Sequence, residues 1–262
     1  MASQVPLTET GFLPTEFQFS HETLLRQKAL KVHKALCTLY NCPIAFFAER
    51  DPLSELVSSL LSHRTKNRDS AKAYQHLRQR FPSWEAVRDA PEDEVRSTIT
   101  AATWPEQKAP RIQAALKQIT ERHGELNLSF LAQMKVVEAR AWLEELPGVG
   151  PKTSAATLLF SNLRRPALPV DSHHYRVAAR IGLIAPKTSL EAAHHKLSAL
   201  MPTDWDAQHV YDHHEALMLH GQRCCFFDRP ACARCPVNGF CDAYQTKSVH
   251  PGTRSESEEG DG

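Results

Sequence analysis

Trp142-Leu-Glu-Glu-Leu-Pro-Gly-Val-Gly-Pro-Lys-Thr-Ser-Ala-Ala-Thr157 is the stretch on which the fold turns. An amphipathic helix ends near Leu146, and Pro147 stops it. Gly148 and Gly150 are expected to bracket a tight turn, where positive φ costs a glycine nothing. Pro151 suits the first position of a second helix, where its missing N–H is no loss. Ser154, Ala155 and Ala156 are small enough for that helix to pack closely on its neighbours. Such a turn suits a phosphate, because glycines let the backbone approach and the first N–H groups of a helix carry partial positive charge. An ordinary helix connector remains open. Lys152 adds a second signal, since the macrodipole disfavours a cation in a first turn by roughly 0.3–1 kcal/mol. The same field and any burial would lower its pKa, and a neutral amine is a nucleophile. Taken alone, the lysine also fits an exposed side chain that tolerates its place.

Outward from the hairpin, helical spacing dominates. Leu53, Leu56, Val57, Leu60 and Leu61 mark one apolar helix face. The segments His21–Tyr40, Asn67–Gln79, Pro105–Arg122, Val136–Leu146, Lys152–Asn162, Asp171–Leu183, Leu190–Met201 and Asp206–His220 read as further helices. Pro82, Pro91, Pro105, Gly124, Pro166, Pro186, Pro202 and Gly221 punctuate them. No run of alternating β-branched residues stands out. The expected fold is all-α, with about ten helices.

The 262 residues can bury a substantial core. No apolar run approaches the ~18 residues of a membrane span. Residues 1–20 lack a secretory pattern, and a cytoplasmic protein is expected, nucleoid-associated in a bacterium. Residues 1–20 and the polar, acidic stretch 248–262 are expected to be disordered tails. Net charge is +1, but Glu256, Glu258, Glu259 and Asp261 crowd the last eight residues, and without them the rest carries +5. Overall charge therefore does not exclude a nucleic-acid partner.

Leu168-Pro-Val-Asp-Ser-His-His-Tyr-Arg176 follows about twenty residues after the lysine. Asp171 stands at a helix mouth, where Asp is a favoured N-cap. Capping also fixes a carboxylate in orientation, so the two roles are compatible. Leu146-Pro-Gly-Val-Gly-Pro-Lys-Thr153 followed by Val170-Asp-Ser-His173 resembles the helix-hairpin-helix and Asp motifs of the endonuclease III DNA glycosylases. Leu56–Thr65 looks like that family's helix leading to a DNA-inserting loop, Lys108-Ala109 with Ile112 matches its next helix start, and Leu219-His-Gly221 precedes the cysteines as in the family. The resemblance covers residues 22–245.

The resemblance implies two helical lobes with the DNA site between them. One lobe would be continuous, residues 46–164, with the hairpin; the other would combine 21–45 with 165–247 and an iron–sulfur cluster. Lys152 would attack C1′ of a damaged nucleotide, Asp171 would activate the amine and stabilise positive charge on the sugar, and β-elimination would nick the strand. Gly148, Gly150 and His173 would contact the DNA backbone. The implied activity is bifunctional: excision of oxidised pyrimidines from duplex DNA, and cleavage of abasic sites. A monomer is expected. Rival expectations are a DNA-structure binding protein with little catalysis, and an abasic-site lyase with weak base removal.

Five of seven cysteines crowd into Cys224–Cys241. Such bunching reads as a metal site rather than a disulfide framework. Cys225, Cys232, Cys235 and Cys241 have the spacing C-x6-C-x2-C-x5-C, and four thiolates suit a [4Fe–4S] cluster or zinc. Spacing alone leaves both open; the resemblance implies the [4Fe–4S] cluster. Cys224 is read as a non-ligand, and Cys37 and Cys42 as small buried side chains.

Three places depart from the family pattern. Arg64 stands where many relatives carry an inserting glutamine, and Trp104-Pro105 replaces a Gly-x-Tyr element. Arginine could fill the gap left by an extruded base, and Trp104 could act as an apolar wedge. A solvated helix end and a tryptophan packed on its own helix are the bland alternatives. The loop Phe226–Ala231 keeps only Arg229 as a base, with Asp228 beside it. The histidine pairs 173–174, 194–195 and 213–214 point apart as helix neighbours and are not expected to form a second metal site, His173 alone being assigned a backbone contact.

Overall fold

The computed structural model describes residues 20–246. The expected tails 1–20 and 248–262 lie outside the described residues, Ser20 apart. The described chain is helical, with no strand.

Twelve α-helices follow one another among these residues: α1 His21–Tyr40, α2 Pro52–Ser62, α3 Asn67–Arg80, α4 Trp84–Asp89, α5 Glu92–Thr98, α6 Pro105–His123, α7 Val136–Glu144, α8 Pro151–Phe160, α9 Ser172–Ile181, α10 Leu190–Leu200, α11 Ala207–Arg223 and α12 Asp242–Gln245. Local chemistry sets their starts. Ser20, Asp51, Ser83, Asp171, Ser189 and Asp206 each accept a hydrogen bond from a backbone N–H in the first turn of the helix that follows. Gly124 and Gly182 close α6 and α9 in the left-handed conformation. The short helices α4 and α5 were not expected from periodicity; six and seven residues hold too few turns for the 3.6 repeat to emerge.

Two apolar cores organise the chain. One joins α2 to α7 with Ala155 and Leu158 of α8. The other joins α1, α9, α10 and α11 with Ala156, Leu159 and Phe160 of α8. Helix α8 is thus buried on every side from Thr153 onward and contributes to both cores, its polar positions there being the small Thr153, Ser154 and Thr157. Its N-terminus carries Lys152.

The chain between α1 and α2 runs from one core to the other. Ile44 N donates to Asp212 Oδ1 at 2.7 Å, and Tyr211 Oη donates to Ala45 O at 3.2 Å, fixing it to α11. Cys37 and Cys42 are not separate buried thiols but a disulfide, and both are half-exposed. Asn41, left-handed at φ 57°, turns the chain back and sets their Cα atoms 4.9 Å apart, within disulfide reach.

Candidate active site and cysteine centre

Helix α7 ends at Glu144 and the turn 145–150 leads into α8. Gly148 has φ 79°, and a Cβ there would sit 3.3 Å from Arg111 Cδ and 3.6 Å from Leu60 Cδ2. Both the backbone and the space call for glycine. Gly150 differs from expectation: at φ −109° and ψ −177° it is extended and needs no glycine for its conformation. Nothing lies within 4 Å of the Cβ it lacks. Its side of the turn is open to an approaching ligand. Pro151 is the first residue of α8 and Lys152 the second. Ser154 Oγ donates to Glu144 Oε1 at 2.6 Å, and Arg140 holds the same carboxylate at 3.1 Å, locking α7 to α8.

Lys152 is half-buried. Burial pushes its pKa below the ordinary lysine value, and the charges of Asp171 and Glu55 pull it partly back. Asp171 caps α9, accepting from His174 N at 2.7 Å. The extended residues before it are pinned from the side. His214 Nδ1 donates to Pro169 O at 2.8 Å, and Val170 N donates to His194 Nε2 at 3.1 Å. With Nε2 accepting, His194 carries its proton on Nδ1, which meets Leu190 O at 2.8 Å. Sequence reasoning passed over His194 and His214; their signal was burial, which adjacent histidines on a helix do not reveal.

Two carboxylates near this pair also escaped the sequence. Glu55 is 3% exposed on α2, where it reads as an ordinary first-turn acid. Glu215 on α11 has its pKa raised to about 7 by burial and then by the charge of Asp171. Lys152 and Asp171 are therefore set among Glu55, Glu215 and His214, contributed by two helices, α2 and α11.

His173 lies on the first turn of α9, its Nδ1 3.1 Å from Arg176 Nη2. Arg176 also donates to Gly221 O at 2.7 Å and Cys225 O at 3.0 Å. A Cβ on Gly221 would fall 2.8 Å from His173 Cβ, so α9 and α11 touch here only because Gly221 has none.

Arg64 and Trp104 come together at the far ends of two loops. Both are exposed and both have positive φ, 51° and 56°. Lys108, 5% exposed, ties the loops: its Nζ donates to Leu61 O at 2.6 Å, His63 O at 2.9 Å and Thr65 Oγ1 at 2.7 Å. Burial lowers its pKa to about 8.

Cys225, Cys232, Cys235 and Cys241 line one cavity, closed by Val177, Ile181 and Val237 and joined by Cys224 and His220. Burial, then the neighbouring thiols, pushes Cys232 up, and burial first pushes Cys241 up. Arg180 Nη1 donates to Cys225 Sγ at 3.4 Å and, with Nη2, reaches Phe226 O and Phe227 O. Crowded soft donors inside apolar walls, with a guanidinium at the edge, fit an anionic iron–sulfur group. A tighter trio, His220, Cys224 and Cys235, has donor atoms within 4.8 Å of one another. Cys224 Sγ also has a partner in Ala231 O at 3.5 Å. Arg229 is exposed at φ 45° on the loop between Cys225 and Cys232 and is not among the residues lining this cavity.

The profile of the HhH-GPD superfamily of base excision DNA repair proteins matches residues 57–203. The chain is 31% identical to an Arabidopsis thaliana protein carrying a DNA glycosylase name, over 68% of this chain and 60% of that one. It is 28% identical to the endonuclease III of Thermotoga maritima, over 76% of this chain and 86% of that one. A trapped endonuclease III–DNA covalent intermediate has a similar fold, with TM-score 0.71 and 20% identity over 85% of this chain and 98% of that one. A thermostable thymine-DNA glycosylase has TM-score 0.69 and 21% identity, over 84% and 98%. The matched HhH-GPD profile spans the hairpin, Lys152 and Asp171, and the chain belongs to this superfamily of base excision DNA repair proteins.

Proposed function

We propose that the protein is a bifunctional DNA glycosylase and abasic-site lyase that excises oxidised pyrimidines from duplex DNA and nicks the strand by β-elimination. The observation that carries this reading is Lys152 at the N-terminus of α8, its amine partly desolvated and within electrostatic reach of Asp171. Burial favours the neutral amine, the form that attacks carbon.

In the proposed sequence the Lys152 Nζ lone pair bonds to C1′ and the C1′–N bond breaks, its electron pair leaving with the base, which takes up a proton. Nζ loses a proton, for which Asp171 is the proposed acceptor. The Nζ lone pair then forms the C1′=N bond of the Schiff base as the C1′–O4′ bond breaks, its electron pair staying on O4′, which takes up a proton. Loss of a proton from C2′ then expels the 3′ phosphate, and water releases the lysine. Gly148, Gly150 and His173 are the proposed backbone contacts, with Arg64, Trp104 and Arg229 as contacts from the outer loops. The open side of Gly150 supports a phosphate approaching the N-terminus of α8.

Cys225, Cys232, Cys235 and Cys241 would hold a [4Fe–4S] cluster, whose role is to brace the loop carrying Arg229. Cleavage of a glycosidic bond needs no electron from it. The protein would act as a monomer in the cytoplasm, on duplex DNA containing damaged bases or abasic sites.

Borohydride trapping on a duplex with one abasic site tests the reading. A covalent adduct in wild type and Asp171→Asn that is absent in Lys152→Ala is the expected result. No adduct from folded protein that still binds the duplex would replace it with a DNA-structure binding role, for which the altered loops at Arg64 and Trp104 would be the reason.

A further inference from the structure

Helix α11 ends in a group of ligand atoms that only partly overlaps the four-cysteine set. His220 lies in its last turn, and Cys224 caps it. Cys224 N donates to His220 O at 3.0 Å, so the helical turn closes on the cysteine and the two side chains share a face. Cys235 joins them from the loop beyond Cys232. One ligand atom from each of the three lies within 4.8 Å of the other two. His220 is 1% exposed and Cys224 6%.

The imidazole is oriented as a metal ligand would be. His220 Nδ1 lies 3.4 Å from Tyr40 Oη, and Nε2 lies 3.4 Å from Cys235 Sγ. A metal-binding histidine donates one ring N–H to an oxygen and leaves its other nitrogen to the metal. With Nδ1–H on Tyr40, the Nε2 lone pair is left to the sulfur side. Zinc binds sulfur at about 2.3 Å and imidazole nitrogen at about 2.0 Å, which sets the two donors about 3.5 Å apart in a tetrahedron. His220 and Cys235 already stand at that separation. The cavity lined by these residues measures about 20 Å³, room for one water-sized ion.

Packing alone asks for neither group. The other walls of the cavity include Val177, Ile181 and Val237, and an apolar side chain at 220 or 224 would suit them. A buried ring nitrogen needs a partner, and a thiol is a weak one. Arg180 reaches the sulfur of Cys225, outside this trio. Two thiolates and a neutral imidazole cancel the charge of a divalent ion, so zinc here needs no further counter-charge.

We propose that His220, Cys224 and Cys235 form a zinc site, alternative to the four-cysteine set because the sulfur of Cys235 belongs to both and serves one centre at a time. Binding releases the thiol protons of Cys224 and Cys235 to solvent, and water takes the fourth position. The ion ties the end of α11 to the loop carrying Cys235 in a chain without an iron–sulfur group. The site involves neither Lys152 nor DNA, so it stands or falls apart from the lyase reading.

The test is metal content of the 262-residue chain produced in iron-depleted medium with zinc, or with cobalt as a spectroscopic substitute. Wild type should hold about one zinc per chain, and cobalt should show the visible bands of a tetrahedral site with thiolate ligands. Cys224→Ala and His220→Gln should lose the metal, and Tyr40→Phe should bind it roughly ten-fold more weakly in competition with a chelator. Cys225→Ala and Cys241→Ala, which break the four-cysteine set, should keep it. Supplied with iron and sulfide, Cys224→Ala should take up iron as wild type does. Cys224→Ala removes a single sulfur and decides the matter if His220→Gln does not fold. Zinc absent from wild type, retained in folded Cys224→Ala, or lost from Cys225→Ala and Cys241→Ala overturns the proposal.

Discussion

The guanidinium of Arg64 lies 5.8 Å from the ring centroid of Trp104, although the two residues belong to different loops. Thr65 Oγ1 accepts from Thr103 N at 3.1 Å, closing the loops on each other. Both residues hold left-handed backbone, which is uncommon for large side chains and persists only where the surroundings enforce it. The expected wedge and gap-filler are therefore one unit. Arg64→Ala, Trp104→Ala and the double variant should give a coupling of about 0.5–1 kcal/mol in binding to a duplex with an abasic-site analogue. Strict additivity, at one fixed salt concentration, would mean the side chains act independently.

Lys108 is the anchor beneath that unit. Its three acceptors belong to the segment 61–65, two of them carbonyls at the C-terminal end of α2, where a cation is favoured. Lys108→Met keeps the stem and removes the donors. A loss of about 2–3 kcal/mol in unfolding free energy is expected, since hydrogen bonds from a charged group are the stronger kind. Arg64 should become mobile at the same time, so binding to the abasic-site analogue should weaken in a variant that is still folded at 25 °C. Denaturant unfolding and duplex titration of the same preparation measure both.

Helix periodicity was legible wherever a segment ran for three turns, as in α1 and α6, and failed for α4 and α5. Lys152 and Asp171 were legible because their signals are local: a proline after a glycine turn, and an Asp at a helix mouth. The partners that surround them were not. His194 and His214 reach residues 24 and 45 positions away in sequence, a relation that only packing creates. Glu55 looks like any acid at the start of a helix, and nothing in the sequence buries it. The Cys37–Cys42 disulfide was not legible, because the bunching of the other five cysteines argues against a disulfide framework and leaves this pair to read as small buried side chains. Gly150 was judged by residue type, whereas its φ is one that other residues adopt.

His174 and His213 form an apolar-style contact between α9 and α11, ring centroids 5.5 Å apart, with no hydrogen-bond partner for any of their four ring nitrogens. Both are fully buried. Burial first, then neighbouring histidines, drives His174 well below the ordinary value and His213 down to about 3. For a base with a depressed folded pKa, the unfolded chain binds the extra proton, so stability is complete above pH 6.5 and falls as pH drops toward the folded value. Each ring should cost about 1.4 kcal/mol per pH unit below 6.5. His213→Leu should flatten the fall between pH 6.5 and 5 by that amount and raise stability at pH 7, because two unsatisfied nitrogens leave the core. A melting-temperature profile of the variant parallel to wild type across this range would show that His213 is hydrated or paired.

Glu215 gives the opposite sign, beside the same helix. Its folded pKa of about 7 stands above the unfolded value of 4.5, through burial and the charge of Asp171. Between those values the folded protein holds a proton that the unfolded chain has lost. Its share of stability is therefore present below pH 4.5, declines as pH rises, and is gone above pH 7. The interval corresponds to ~3 kcal/mol at most, less whatever water screens at a half-buried side chain. Glu215→Gln removes the titration and keeps the shape. Its stability relative to wild type should grow by about 1–2 kcal/mol from pH 5 to pH 7.5. Comparing variant with wild type at each pH cancels the histidines, which titrate in both proteins. A difference that is flat with pH would place the Glu215 carboxyl in water and out of reach of Asp171.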